Sequence, residues 1–166
     1  MAARPSCVKV VRHTALMLAL AAITAGCTSP SAGLEGTGLL RNPTVILAGT
    51  TRFDPERFAG RWQTTACLGT CAESVRYLWD GEVIRETAKG QAAYNVEGPG
   101  ILRGQDTLVV MWVDDGFRTA AIGNADGTWA AVIDRKARAA PDRLAAATEI
   151  LDFNGWDVAK LKVKAQ

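Results

Sequence analysis

The stretch Phe53-Asp-Pro-Glu-Arg-Phe-Ala-Gly-Arg-Trp62 decides how the rest of the chain reads. Asp54 can cap a helical turn, and Pro55 suits its first position because proline has no N–H to leave unsatisfied there. Gly60 ends that turn early. The run that follows, Trp62-Gln-Thr-Thr-Ala-Cys67, reads as an extended strand. A helical turn, a glycine hinge and a tryptophan at the head of a strand form an ordered device. Its meaning depends on the partners supplied by the rest of the chain.

Downstream the pattern is short β-runs with turn punctuation. Ser74-Val-Arg-Tyr-Leu-Trp79 and Glu82-Val-Ile-Arg-Glu-Thr87 flank Asp80-Gly81, a two-residue hairpin signal. That loop predicts Leu78 opposite Val83 and Arg76 opposite Arg85, with Tyr77, Trp79, Glu82 and Ile84 on the other face. Neither face is plainly apolar, so the pattern leaves open which one points inward. Ala92-Ala-Tyr-Asn-Val96 precedes Gly98-Pro-Gly100 and Ile101-Leu-Arg103. Thr107-Leu-Val-Val-Met-Trp-Val113 turns at Asp114-Asp-Gly116 into Phe117-Arg-Thr-Ala-Ala-Ile122, and Asn124-Ala-Asp-Gly127 turns into Thr128-Trp-Ala-Ala-Val-Ile-Asp134. Counted from Trp62, these are eight strands in meander order. Closing such a meander into a barrel removes its exposed edges.

The period then changes. Pro141-Asp-Arg-Leu-Ala-Ala-Ala-Thr-Glu-Ile-Leu-Asp-Phe153 predicts a helix with Leu144, Thr148 and Leu151 on one face, stopped by Asn154-Gly155. Ala159-Lys-Leu-Lys-Val-Lys164 alternates as a half-exposed edge strand should.

Upstream, residues 1–26 read as an export signal: a basic start, then the apolar run Ala15-Leu-Met-Leu-Ala-Leu-Ala-Ala-Ile23, too short to span a membrane as a helix. The run ends in Thr24-Ala-Gly-Cys27, which resembles the lipobox of bacterial lipoproteins, with Thr24 where leucine is usual. The resemblance implies acylation of Cys27, and Thr28 after it implies sorting to the outer membrane, facing the periplasm. The alternative is an ordinary secretory signal and a soluble periplasmic protein. Residues 27–52, rich in Ser, Thr, Gly and Pro, read as a lipidated cysteine and flexible linker. Within it Val45-Ile-Leu47 is an apolar exception, suited to lie against the domain as an arm.

Of 19 basic groups, Arg4, Lys9 and Arg12 precede Cys27, where no acidic group stands; the rest face 17 acidic groups. The exported chain is therefore close to neutral, and no nucleic-acid partner is expected. The single histidine, His13, lies in the leader as well. Without it the chain lacks the usual general base, the commonest metal ligand and the usual haem ligand. No catalytic residue, metal or cofactor is expected.

Together these features resemble the lipocalins. Phe58, Gly60 and Trp62 match that family's Gly-x-Trp opening, with Gln63 where an aromatic is usual. Phe117-Arg-Thr-Ala-Ala-Ile-Gly123, after Trp112-Val-Asp-Asp115, looks like its second motif, and Ile133-Asp-Arg135 like its third. Gly155-Trp-Asp-Val-Ala-Lys-Leu161 resembles the bacterial outer-membrane lipocalins in particular. The resemblance covers residues 53–166 and implies an all-β fold: an eight-stranded antiparallel up-and-down barrel with one C-terminal helix and a short final strand. It implies that Trp62 plugs the floor, with Arg135 packed on it. It also implies a small hydrophobic or amphiphilic guest, such as a fatty acid or lysophospholipid, with envelope lipid storage or transport as the role.

Thr64 and Ala66 share the parity of Trp62 and are the cavity candidates above it, with Trp112 as a third. Cys67 and Cys71 are expected to be bridged in an exported protein. Fully extended, their Cα atoms would stand roughly 13 Å apart, so Leu68-Gly-Thr70 must turn. The aspartates near strand ends read as turn residues before acid–base pairs. Two other functions fit the same fold: an enzyme such as an isomerase or de-epoxidase, and a structural envelope protein with a filled barrel.

Overall fold

A computed structural model describes residues 39–164. The leader, the Cys27 acylation site and the beginning of the linker lie outside the described residues. Asp54 caps a one-turn helix α1 (Pro55–Phe58), its side chain accepting the Arg57 N–H at 3.1 Å. Eight strands follow: β1 (Gly60–Leu68), β2 (Ser74–Trp79), β3 (Val83–Thr87), β4 (Gly90–Gly98), β5 (Ile101–Arg103), β6 (Thr107–Val113), β7 (Thr119–Asn124) and β8 (Ala130–Asp134). Each pairs antiparallel with the next, and β1 pairs with both β2 and β8, which closes the barrel. Helix α2 (Pro141–Phe153) has the bounds its sequence period predicts.

The tail departs from expectation. Instead of a strand from Ala159 to Lys164, residues Val158–Lys160 form a 3-10 turn, and only β9 (Lys162–Val163) pairs. Local bonds win there: Lys160 N–H reaches the Asp157 carbonyl at 3.0 Å, and Leu161 N–H the Val158 carbonyl at 3.0 Å. β9 lies outside the barrel, beside Ala66 and Cys67, on the edge of β1 that β2 has left.

The first hairpin is also shifted by one residue. Trp79 faces Val83 and Tyr77 faces Arg85, so the loop is Asp80-Gly81-Glu82 rather than Asp80-Gly81. A one-residue slip exchanges the faces of a strand. Tyr77, Val83 and Arg85 therefore share one side, and Tyr77 and Val83 are buried there.

Two hydrophobic clusters sit on opposite sides of the barrel wall. The interior holds Phe58, Trp62, Val75, Tyr77, Tyr94, Leu102, Ile122 and Ile133 with their neighbours. The exterior cluster, under α2, includes Leu68, Val109, Ala121, Val132, Ala147, Leu151 and Trp156. Arg143 fastens the start of α2 to the wall. Its Nε donates to Thr119 Oγ1 at 2.7 Å, and Thr119 in turn donates to the fully buried Asp134 carboxylate.

Residues 39–52 lie along the exterior, extending the arm expected at Val45–Leu47. Leu40 N–H bonds the Gly127 carbonyl at 2.8 Å, and Thr50 N–H the Val110 carbonyl at 2.8 Å. Buried Arg41 donates from Nε to the Asn154 carbonyl at 2.8 Å and from its other end to the Val45 carbonyl. Leu47 packs on the exterior cluster, while Ile46 faces solvent.

Candidate functional site

The barrel has a sealed end and a mouth. At the sealed end Trp62 is fully buried and donates its indole N–H to the Phe58 carbonyl at 2.8 Å. The Arg135 guanidinium lies 3.8 Å from the Trp62 ring centroid. It also donates to four carbonyls, those of Phe117, Arg61, Arg57 and Phe58, at 2.8 to 3.3 Å. Gly60 is required for this arrangement. Its φ is +111°, and a Cβ there would stand 2.8 Å from Arg135 Nη1. The spacing Gly60-x-Trp62 thus follows from an arginine 75 positions away having to reach the ring. Phe58 packs against the Trp62 ring and, by tilted contacts, against Phe53 and Tyr77 as well.

Beside that floor, the β6–β7 turn is organised by Asp114, whose carboxylate accepts the N–H groups of Gly116, Arg118 and Thr119. Burial works to raise its pKa, but those backbone donors and the Arg118 guanidinium outweigh burial and hold it below the usual value. The turn role read from sequence for this aspartate is therefore the one it performs. Asp134, bound to Thr119 and Arg143, is likewise occupied structurally. Among the described residues no group of three His, Cys, Asp or Glu side chains is placed to hold a metal ion.

At the mouth Cys67 and Cys71 form a disulfide, with Cα atoms 6.0 Å apart. The turn that permits it passes through Gly69 at φ +72°, where a Cβ would meet the Thr128 carbonyl at 2.3 Å. Below the bridge, a small void is lined by Thr64, Cys71, Tyr77, Arg85, Trp129 and Ile133, among others. Its volume is about 10 Å³, room for a single water.

Of the three sequence-predicted cavity residues, the structure brings only Thr64 to this void. Ala66 lies in the exterior cluster under α2, because β1 carries a bulge between Thr64 and Ala66 that reverses its parity. Trp112 packs against the same exterior cluster for the same reason: β6 is bulged between Val110 and Trp112. Both are corrections to the expected lining.

Trp129 is the residue that sequence reasoning missed, and Arg85 is one whose face the sequence left open. Arg85 enters the interior because of the shifted hairpin, and its guanidinium lies 5.3 Å from the Trp129 ring centroid. The Arg85 Nε is buried with no hydrogen-bond partner. The only available signal was an arginine in strand register with Tyr77, and the wrong loop length hid it. Nearby, the Tyr94 hydroxyl donates to Asp106 at 2.8 Å, and burial together with that carboxylate keeps the phenol protonated. Burial likewise raises Tyr77, although the adjacent Arg85 charge works against the rise.

Floor, meander, flanking helix and mouth together define a lipocalin-like barrel. No family model matches the chain, and no curated protein matches it. Solved structures do. Apocrustacyanin C1 aligns with a TM-score of 0.53 and 14% identity, over 68% of this chain and 79% of that one. Per a 4, a major allergen from cockroaches, aligns with a TM-score of 0.54 and 9% identity, over 74% and 94%. These neighbours are lipocalin-family members with eight-stranded barrels. At such identities the likeness concerns the fold.

Proposed function

We propose that this chain is a lipid-anchored binding protein of the bacterial envelope, whose barrel takes a small hydrophobic or amphiphilic ligand. The observation that carries this reading is the contrast between the two ends of the barrel. The floor is closed by a fully satisfied Trp62–Arg135 stack, whereas the mouth holds a void and an arginine with an unpartnered nitrogen. The void itself is far smaller than a ligand pocket of roughly 300–1,000 Å³, and the reading rests on its apolar wall and its unmatched donor. The occupied aspartates favour binding over catalysis. Anchoring through Cys27 at the outer membrane rests on the apolar run that stops at Thr24-Ala-Gly-Cys27. Acylation contributes roughly 0.8 kcal/mol per buried CH₂, so several chains on one residue would hold the domain firmly.

One observation favours a second reading, the filled structural barrel. A void of about 10 Å³ admits no acyl chain, so loading requires Trp129 and Arg85 to move aside. Tryptophan fluorescence separates the two. Titrating the delipidated protein with a fatty acid or lysophospholipid should give saturable, one-to-one binding near micromolar concentration, around −8 kcal/mol. Absence of any saturable response leaves the filled barrel standing. For the anchor, Cys27→Ser should move the protein from the membrane to the soluble periplasmic fraction. A variant that still sediments with membranes sinks that part.

A further inference from the structure

The unmatched nitrogen of Arg85 says which kind of ligand the barrel is built for. Arg85 projects from β3 into the interior, beside the buried Tyr77 phenol and against the face of Trp129. It contributes to the wall of the void together with Thr64, Tyr77 and Trp129. Among the described residues it has no carboxylate within ion-pair distance; the ion pairs found there join other residues. The carboxylate next to this group, Asp106, takes its hydrogen bond from Tyr94 instead. Arg85 is half-buried with the Tyr77 hydroxyl as a hydrogen-bond partner, yet its buried Nε has no acceptor, which is costly, and its planar fork fits a carboxylate with two parallel bonds. Every other arginine or lysine with a buried role in this fold has acceptors: Arg41, Arg135 and Arg143 each bond named oxygens.

We infer that Arg85 is an internal carboxylate subsite, and that the barrel takes a monocarboxylate amphiphile with its charged head inward. The carboxylate pairs with the Arg85 fork, the Tyr77 hydroxyl lies alongside, and the indole of Trp129 closes over the head. The apolar remainder runs between Trp129 and the disulfide toward the mouth. This reverses the orientation expected for a phospholipid-like guest, whose headgroup would stay in water. The inference rests on the binding reading above and adds to it the ligand's charge and direction.

The test compares two guests of equal length, octanoate and octan-1-ol, by isothermal titration of the exported full chain held in amphipol, with protein-free amphipol as the blank. Arg85→Met keeps the bulk of the side chain and removes its charge. Octanoate should bind the native protein and lose about tenfold or more in affinity in the variant, as loss of a charge-assisted bond requires. Octanol should bind both within about twofold. Arg85→Gln is read by the same criterion should the methionine variant fail to fold, which circular dichroism and Tm establish first. Equal octanoate affinity in native and variant proteins overturns the carboxylate subsite while the binding reading survives. Binding of octanol but not octanoate to the native protein does the same. Binding of neither guest overturns both readings together.

Discussion

The barrel carries an arginine on a tryptophan at each end, and the two pairs differ in almost every other respect. Arg135 sits 3.8 Å from the Trp62 ring and also donates to four carbonyls. Arg85 sits 5.3 Å from the Trp129 ring, with its Nε buried and unmatched. A stack whose hydrogen bonds are complete holds a chain together; one left incomplete holds a place for something else. The same pair of residue types thus does two kinds of work, and the difference lies in the acceptors around each guanidinium rather than in the stacking.

The largest effect expected is at the floor. Trp62→Ala removes a fully buried ring and should cost about 3–5 kcal/mol in chemical denaturation. In a double-mutant cycle with Arg135→Ala the losses should fall short of additivity by more than about 0.5 kcal/mol. Additive losses would mean that the contact contributes nothing. Next comes the mouth's covalent tie. Reducing Cys67–Cys71 should cost about 2 kcal/mol by loop entropy for so small a ring. Amide exchange should accelerate around residues 68–74 and stay unchanged near Trp62; uniform acceleration would deny the two ends their independence.

A smaller effect separates the floor by pH. The folded pKa of Asp114 lies below its ordinary value of 3.8. Its contribution is therefore fully present above about that pH and is lost as pH falls through the lower folded value. Asp114→Asn should flatten the acid limb of the stability curve, and an unchanged limb would show that the turn does not depend on the charge. The smallest effect belongs to Arg85. Because its buried Nε is unmatched and carries a burial cost, Arg85→Met should not destabilise the fold and should leave it as stable or slightly more stable. A loss comparable to that of Arg135→Met would make the two stacks equivalent.

Much of this was legible before any coordinates. The run from Phe53 to Trp62, the eight strands in order and the limits of α2 follow from local signals that agree with one another, whereas the pairing of Trp62 with Arg135 was implied by the lipocalin resemblance. What escaped depends on counting. Bulges after Thr64 and after Val110 each add one residue to a strand, leave no mark in composition, and send Ala66 and Trp112 to the outside. The loop Asp80-Gly81-Glu82 is one residue longer than Asp80-Gly81 suggests, and that single residue decides that Arg85 faces the interior. In the tail, alternating Lys and apolar residues suit a strand, yet the bonds from Lys160 to Asp157 and from Leu161 to Val158 close a 3-10 turn first. Candidate cavity residues are the positions most exposed to such errors, because facing inward is a matter of parity.

The arm along the exterior gives the domain a mechanical character. A pull applied at residue 39 does not reach β1 directly. It first meets Leu40 on Gly127, then Arg41 on Asn154, then Thr50 on Val110. These contacts yield in sequence before any barrel strand is loaded at Gly60. Stretched from its N-terminal side, the molecule should release residues 39–52 in an early step, lengthening by less than their extended reach of roughly 50 Å at about 3.5 Å each, and only later rupture as a barrel. The segment that the composition marks as a tether therefore ends in contacts that yield before the closed sheet does.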